Sequence, residues 1–420
     1  MIEITPLGKI NAVFTAPPSK AHTLRALFIA SLAQGKSVLR NALYADDQKV
    51  AANSLSEFGA KITRKGDDFV VEGTGGEISA PQKPVFTGMS GVTTRFIVPF
   101  AALANGKSTI DGEARMRQRP IKEITDALVP LGVECELSDE GTLPVTVHGG
   151  NFEGGKTQLK GSESSQFLSG LLIAAPYTKN GVHVKIDGEL KSKPYVDITI
   201  ECMKSFGVAA VNRQYKEFFA PGKKKYAARE YDIEGDYSSA SYFFAAAAVT
   251  VGKVRVKNLN PHSKQGDKFF LECIEKMGCA VKYGKDFVEV KGGELRGISV
   301  DMANCPDIVP TLAVVAAFTD GKTEILNVGH LAGKESNRIK SVAKNLRECG
   351  IVVKDSKDSL EIIGGKPHGA DIECFNDHRI AMAFSILGLA VSGVRIMQPE
   401  VVSKSYPEFY DELAKGLMAK

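Results

Sequence analysis

Six times along the chain, an apolar helix-like stretch runs into a glycine turn and then an extended segment. The copies read "IASLAQGKSVLRN", "FAALANGKSTIDG", "AAPYTKNGVHVKIDG", "AAVTVGKVRVKNL", "VAAFTDGKTEILN" and "GLAVSGVRIMQP". Their turn glycines, Gly35, Gly106, Gly181, Gly252, Gly321 and Gly393, are 71, 75, 71, 69 and 72 residues apart. Glycine suits such a turn because the left-handed backbone that ends many helices carries no steric penalty without a Cβ. A second series, Gly59, Gly132, Gly207, Gly278 and Gly350, closes a second helix and leads into two short alternating strands, as in "AVKYGKDFVEVKGG". A period this regular predicts an α/β fold of six units, each about 72 residues in the order helix, strand, helix, strand, strand. The sixth copy lacks its last two strands, and residues 2–14, "IEITPLGKINAVF", are expected to supply them. Three units then fall in a lobe over 14–230 and three in a lobe over 1–13 plus 231–420, with a cleft between the lobes.

The start of the first helix in each unit is where the chemistry gathers. These positions hold Ser19 and Lys20 with Arg25 one turn on, Gly91 in "GMSGVTTR", Ser164 with Ser165 and Gln166, Asp236, Asp307, and Asp377 with His378 and Arg379. Helix capping accounts for serines and aspartates, and it is the favoured reading of Asp236. It does not call for Lys20, Arg25, Gln166 or Arg379, because a cation in the first turn opposes the helix dipole. On that ground alone, removing Lys20 is expected to cost little stability. Helix starts converging on a cleft would present free N–H groups and positive potential, an anion site in which extra cations pair with phosphate or carboxylate.

Two further stretches add charge. "GEARMRQRP" carries Arg115, Arg117 and Arg119, and "GKESNRIK" carries Lys334, Glu335 and Arg338. Asp307 and Glu335 are candidates for an acid/base pair, since moving protons at hydroxyl or carbon needs positioned carboxylates. The "GKS" and "GKT" turns imitate the end of a phosphate-binding P-loop. That motif needs a glycine five residues earlier, where this chain has Ala30, Ala101 and Ala316.

Composition narrows the function classes. The net charge of +4 is spread without blocks, which speaks against a nucleic-acid partner. No apolar run reaches the ~20 residues of a membrane span. The seven cysteines form no C-x-x-C pair and the start "MIEITPLGKI" lacks a leader-like pattern, so reduced thiols and a cytoplasmic location are expected.

Nine segments appear in one order between Ser19 and Phe409: "SKAHTLR", "RMRQRPI", "SSQFLSGLL", "SKPYVDIT", "EGDYSSASYF", "PDIVPTLAV", "KESNR", "DHRIAMAF" and "SKSYPEF". In these the chain resembles the 5-enolpyruvylshikimate-3-phosphate synthase family. The resemblance implies a two-lobed inside-out α/β barrel. It implies transfer of enolpyruvyl from phosphoenolpyruvate to the 5-hydroxyl of shikimate 3-phosphate, with release of phosphate. No metal or organic cofactor, no nucleic acid and no membrane is implied, and the expected state is a monomer. Shikimate 3-phosphate would be met by Lys20, Ala21, Arg25, Ser164, Ser165 and Gln166, and by Ser192, Tyr195, Asp307, His330 and Lys334. Phosphoenolpyruvate would be met by Lys20, Gly91, Arg115, Gln166, Arg338, Arg379 and Lys404. Lys20, Asp307 and Glu335 take the catalytic roles, Asp307 at the 5-hydroxyl proton and Glu335 at the methylene carbon. The chain departs from the family pattern at Ala21, where serine is usual, and at Met89, His330 and Ala332. Two rivals are weaker. The related UDP-N-acetylglucosamine enolpyruvyl transferases usually carry a reactive loop cysteine, which "DGEARMRQRP" lacks. A non-catalytic anion- or nucleic-acid-binding repeat protein would want stacking aromatics beside its basic residues, and these segments offer mainly Tyr195.

Overall fold

The computed structural model describes residues 1–418; the final two residues of the expected second lobe, 419 and 420, lie outside the described residues. The chain forms two compact units, one made of Pro18–Ile233 and the other of Met1–Pro17 with the chain from Glu234 onward. Each has its own apolar core.

The Pro18–Ile233 unit holds three four-stranded sheets built to one plan. A central strand pairs in parallel with a short edge strand on one side and antiparallel with a hairpin on the other. The central strands are Gln34–Arg40, Gly106–Asp111 and Val182–Asp187. Their parallel neighbours are Glu230–Asp232, Val85–Phe86 and Gly155–Lys160. In the second and third sheets a helix, Gly91–Ala101 or Ser165–Ala174, links the parallel pair, the usual crossover of a βαβ unit. The other unit repeats the plan around Lys253–Lys257 and Lys322–Leu326, and a three-stranded sheet is centred on Val394–Ile396.

The parallel edge strand was not part of the expected order of elements. These strands run from two to six residues, too short to leave a periodic signal. The N-terminal stretch also behaves differently from the expectation that it completes the sixth unit alone. Ile2–Ile4 does pair with Val394–Ile396, but Asn11–Thr15 pairs in parallel with Lys253–Lys257 in another sheet. Its alternate residues Ala12 and Phe14 are buried, and Phe14 stacks on Phe243 with ring centroids 4.0 Å apart. The strand before the Lys20 helix and the strand before the Tyr237 helix are therefore exchanged between the two units.

The helices that lead into the central strands are buried along nearly their whole length. All residues of Tyr237–Val249 are buried, and so are His22 to Leu32 in Lys20–Leu32. A helix with no polar face belongs inside a core. Five of the six turn glycines have positive φ; at Gly252 the neighbouring Val251 takes the left-handed place instead, with φ 51°. Five helix starts are capped by side chains: Ser19, Ser90, Ser164, Asp236 and Asp377. Asp307 is the exception. It sits in a single turn, Pro306–Ile308, ahead of the helix Val309–Ala316, with no capping bond.

Candidate active site

In the Pro18–Ile233 unit, Lys20 opens its helix and its Nζ lies 2.5 Å from Asp47 Oδ2, with side chains 16% and 4% accessible. Asp47 is in the first turn of Asp46–Glu57, where a carboxylate is favoured by the helix dipole. The cation at the start of one helix is thus met by an anion at the start of another. Gln48 adds a bond from its Nε2 to the Lys20 carbonyl at 3.4 Å.

Arg25 is 2% exposed. Its Nε donates to Thr199 Oγ1 at 2.7 Å, Nη1 to the Ala21 carbonyl at 3.0 Å and Nη2 to the Tyr195 carbonyl at 2.9 Å. The guanidinium lies 5.5 Å from the Phe96 ring and 5.8 Å from the Tyr195 ring. All three acceptors are neutral, and no carboxylate pairs with Arg25 among the described residues. Burial pulls its pKa down to about 10, partly offset by Cys202 and Tyr195, so it stays charged at neutral pH. A buried cation without an acid partner is costly, and an anionic ligand is what would compensate it.

Gln166 follows the capping Ser164 and the buried Ser165. Its Oε1 accepts from Arg95 Nη1 at 3.0 Å, which leaves its amide N–H groups for another acceptor. Arg95, 3% exposed, also donates to the carbonyls of Gly91 and Pro120. Gly91 is the first residue of its helix, and a Cβ there would lie 2.5 to 2.8 Å from the Arg119 guanidinium. Gly91→Ala should therefore displace the guanidinium of the buried Arg119. Of the other arginines in this segment, Arg117 is exposed and turned to Asp111, while Arg115 is half-buried and donates to Gln118 Oε1. Ser192 holds a left-handed backbone, φ 56° and ψ 40°, at the start of Lys193–Ser205, the kind of local strain that gathers at functional sites.

In the other unit, one carboxylate bridges two arginines. Asp307 Oδ1 accepts from Arg338 Nη1 at 2.8 Å and Oδ2 from Arg379 Nη2 at 2.9 Å, with 24% of its side chain accessible. Arg338, 1% exposed, donates from Nε to Asp377 Oδ2 at 2.8 Å and from Nη2 to Glu335 Oε2 at 2.9 Å. Asp377 is fully buried; it also accepts from Ser336 and caps the helix that carries Arg379. Arg379 bonds Ser238 and, at 3.3 Å, Tyr242 Oη. Burial alone would raise the Asp307 pKa, but Arg379, Arg338 and Lys334 hold it well below the ordinary value. Arg338 is pushed up by Asp377, Glu335 and Asp307 against the effect of burial. Asp307, Glu335, Arg338 and Arg379 thus form one ion cluster. His330 is half-buried in the turn Gly329–Gly333 beside the half-buried Lys334, and Lys404 is 8% exposed at the end of Pro399–Lys404.

Residues 4–413 match the family model described as EPSP synthase (3-phosphoshikimate 1-carboxyvinyltransferase). The chain belongs to the EPSP synthase family. It is 44% identical over 414 residues to the 3-phosphoshikimate 1-carboxyvinyltransferase of Methanosphaerula palustris, covering 97% of each chain. It is 41% identical to the protein of that name from Nostoc punctiforme, again over 97% of each. Among solved structures it resembles the EPSP synthase of Acinetobacter baumannii, with TM-score 0.83, 25% identity and coverage of 99% of this chain and 98% of that one. The mixed α/β fold is therefore that of EPSP synthases. Within that family frame, the sequence did not reveal three contacts that hold the candidate residues: Asp47 on Lys20, Thr199 on Arg25 and Arg95 on Gln166. An acid pair opening a helix, "ADDQ", was the one local signal available for Asp47.

Proposed function

We infer that this EPSP synthase family member transfers the enolpyruvyl group of phosphoenolpyruvate to the 5-hydroxyl of shikimate 3-phosphate and releases phosphate. The reaction belongs to aromatic amino acid biosynthesis. The observation that carries the assignment of roles is the Asp307 cluster, a carboxylate held ionised by two arginines with a second carboxylate, Glu335, bound to one of them.

The chemistry needs a proton removed from the 5-hydroxyl as its oxygen bonds to the substituted carbon of phosphoenolpyruvate, and a proton delivered to the methylene carbon. Phosphate then leaves as a methyl proton is removed, which restores the double bond. In this reading Asp307 takes the hydroxyl proton and Glu335 handles the carbon proton. Arg338 and Arg379 face the phosphoenolpyruvate anion with Lys20, Gly91, Arg115, Gln166 and Lys404. Arg25, Ala21, Ser164, Ser165, Ser192, Tyr195, His330 and Lys334 face shikimate 3-phosphate.

Asp307 is a poor base while both arginines neutralise it. Phosphoenolpyruvate competes for the same guanidiniums, and its arrival frees the carboxylate to accept a proton. Substrate binding and activation of the base are then one event.

The finer architecture is proposed with the function. Three four-stranded sheets of one plan in one unit, and two such sheets with a three-stranded variant in the other, support six repeats in a two-lobed inside-out barrel, with domains near 14–230 and 1–13 plus 231–420. A cytoplasmic monomer is proposed as well, and sedimentation velocity at assay concentration tests the oligomeric part. Phosphate release tests the reaction: phosphoenolpyruvate with shikimate 3-phosphate should liberate phosphate, and UDP-N-acetylglucosamine should not replace the acceptor. Release with the UDP-sugar alone would overturn the reading.

A further inference from the structure

We propose that Thr199 is a positioning residue for Arg25: its hydroxyl oxygen takes the guanidinium Nε–H and fixes how the remaining N–H groups are presented to shikimate 3-phosphate. This rests on the reading that Arg25 meets that substrate. A guanidinium has five N–H donors in a rigid plane, so fixing one edge fixes the others. Two of the three bonds to Arg25 end on peptide carbonyls, Ala21 one turn back in its own helix and Tyr195 on the neighbouring helix. The third, to Thr199 Oγ1 at 2.7 Å, is the shortest and the one that a side chain supplies.

The bland account of Thr199 is a helical threonine satisfying its own backbone, since its hydroxyl lies 2.9 Å from the Tyr195 carbonyl four residues earlier. Its surroundings ask for more. Thr199 and Ser169 are both fully buried, and the hydroxyl lies 2.8 Å from Ser169 Oγ as well. Its single proton goes to Ser169 or to the Tyr195 carbonyl, and either choice turns a lone pair toward Arg25. With no carboxylate on Arg25, this neutral oxygen does the orienting that an acid would otherwise do. A neutral acceptor also leaves the positive charge undiminished for a substrate anion.

Thr199→Val keeps the shape and removes the acceptor. The dissociation constant of shikimate 3-phosphate, measured by titration calorimetry, should rise about tenfold, as for one lost hydrogen bond to a charged group. The KM for that substrate should rise in parallel, with kcat within about threefold of the wild type and the KM for phosphoenolpyruvate little changed. Thr199→Ser should restore both constants, and Thr199→Ala, which removes the same oxygen by a different truncation, should reproduce the loss. Arg25→Met is the companion variant. If it loses shikimate 3-phosphate while Thr199→Val binds it normally, the positioning role is overturned and the Arg25 reading stands. If Arg25→Met itself binds normally, the Arg25 reading fails. A Thr199→Val protein with lowered melting temperature but unchanged affinity and KM marks a purely structural threonine and also overturns the proposal.

Discussion

Asp307→Asn should lose turnover by about 10²- to 10⁴-fold, the range for removing a positioned general base, while binding shikimate 3-phosphate within a few-fold of the wild type. The amide keeps the shape and can still accept a hydrogen bond, but it cannot take the hydroxyl proton. The protein should fold, because Arg338 keeps Asp377 and Glu335 as partners and Arg379 keeps Ser238 and Tyr242. An unreactive phosphoenolpyruvate mimic should bind the variant at least as tightly as the wild type, because the anion no longer displaces a carboxylate from Arg338 and Arg379. Single-turnover kinetics with calorimetry of both ligands separates these effects. Loss of shikimate 3-phosphate binding together with turnover would reduce Asp307 to a structural role.

In the proposed mechanism, Lys20→Met combines a catalytic and a structural loss. One preorganised cation facing developing charge is worth about 3 kcal/mol of transition-state stabilisation, so kcat/KM should fall by at least 10²-fold. The dipole argument expects almost no change in stability, since the cation opposes its own helix. The ion pair with Asp47 overturns that expectation. Without Lys20 a carboxylate with 4% of its side chain accessible loses a 2.5 Å partner, and breaking a buried ion pair is destabilising. Thermal melting should therefore show a clear drop in Tm, largely recovered in Lys20→Met/Asp47→Asn, whereas the activity should not recover. A double variant that regains activity would put Lys20 outside the chemistry.

What could be read from the residues, and what could not, follows from the range of each interaction. Helix starts at Ser19, Ser90, Ser164 and Asp377 carry local capping signals, and the glycines after the second helices, from Gly59 to Gly350, adopt the positive φ their turns need. Those are short-range facts. The parallel edge strands are not. Val85–Phe86 has two residues and no periodicity, and the alternation of Asn11–Thr15 marks a strand without naming the sheet it joins. The candidate cations were legible because a lysine or arginine at a helix start runs against the dipole. Their partners lie far away in sequence or on another helix. Thr199 is 174 residues from Arg25 and looks like an ordinary helical threonine, and Asp377 looks like a cap until Arg338 is found on it.

The proposed function requires that both Arg25 and Lys334 meet shikimate 3-phosphate. Titration of shikimate 3-phosphate into wild type, Arg25→Met and Lys334→Met, each checked for an unchanged melting profile, tests it with a single measurement. Each variant should bind about tenfold or more weakly, as for loss of one charge-assisted contact in either place. Normal affinity in Lys334→Met, with binding lost only in Arg25→Met, would contradict the proposed role of Lys334.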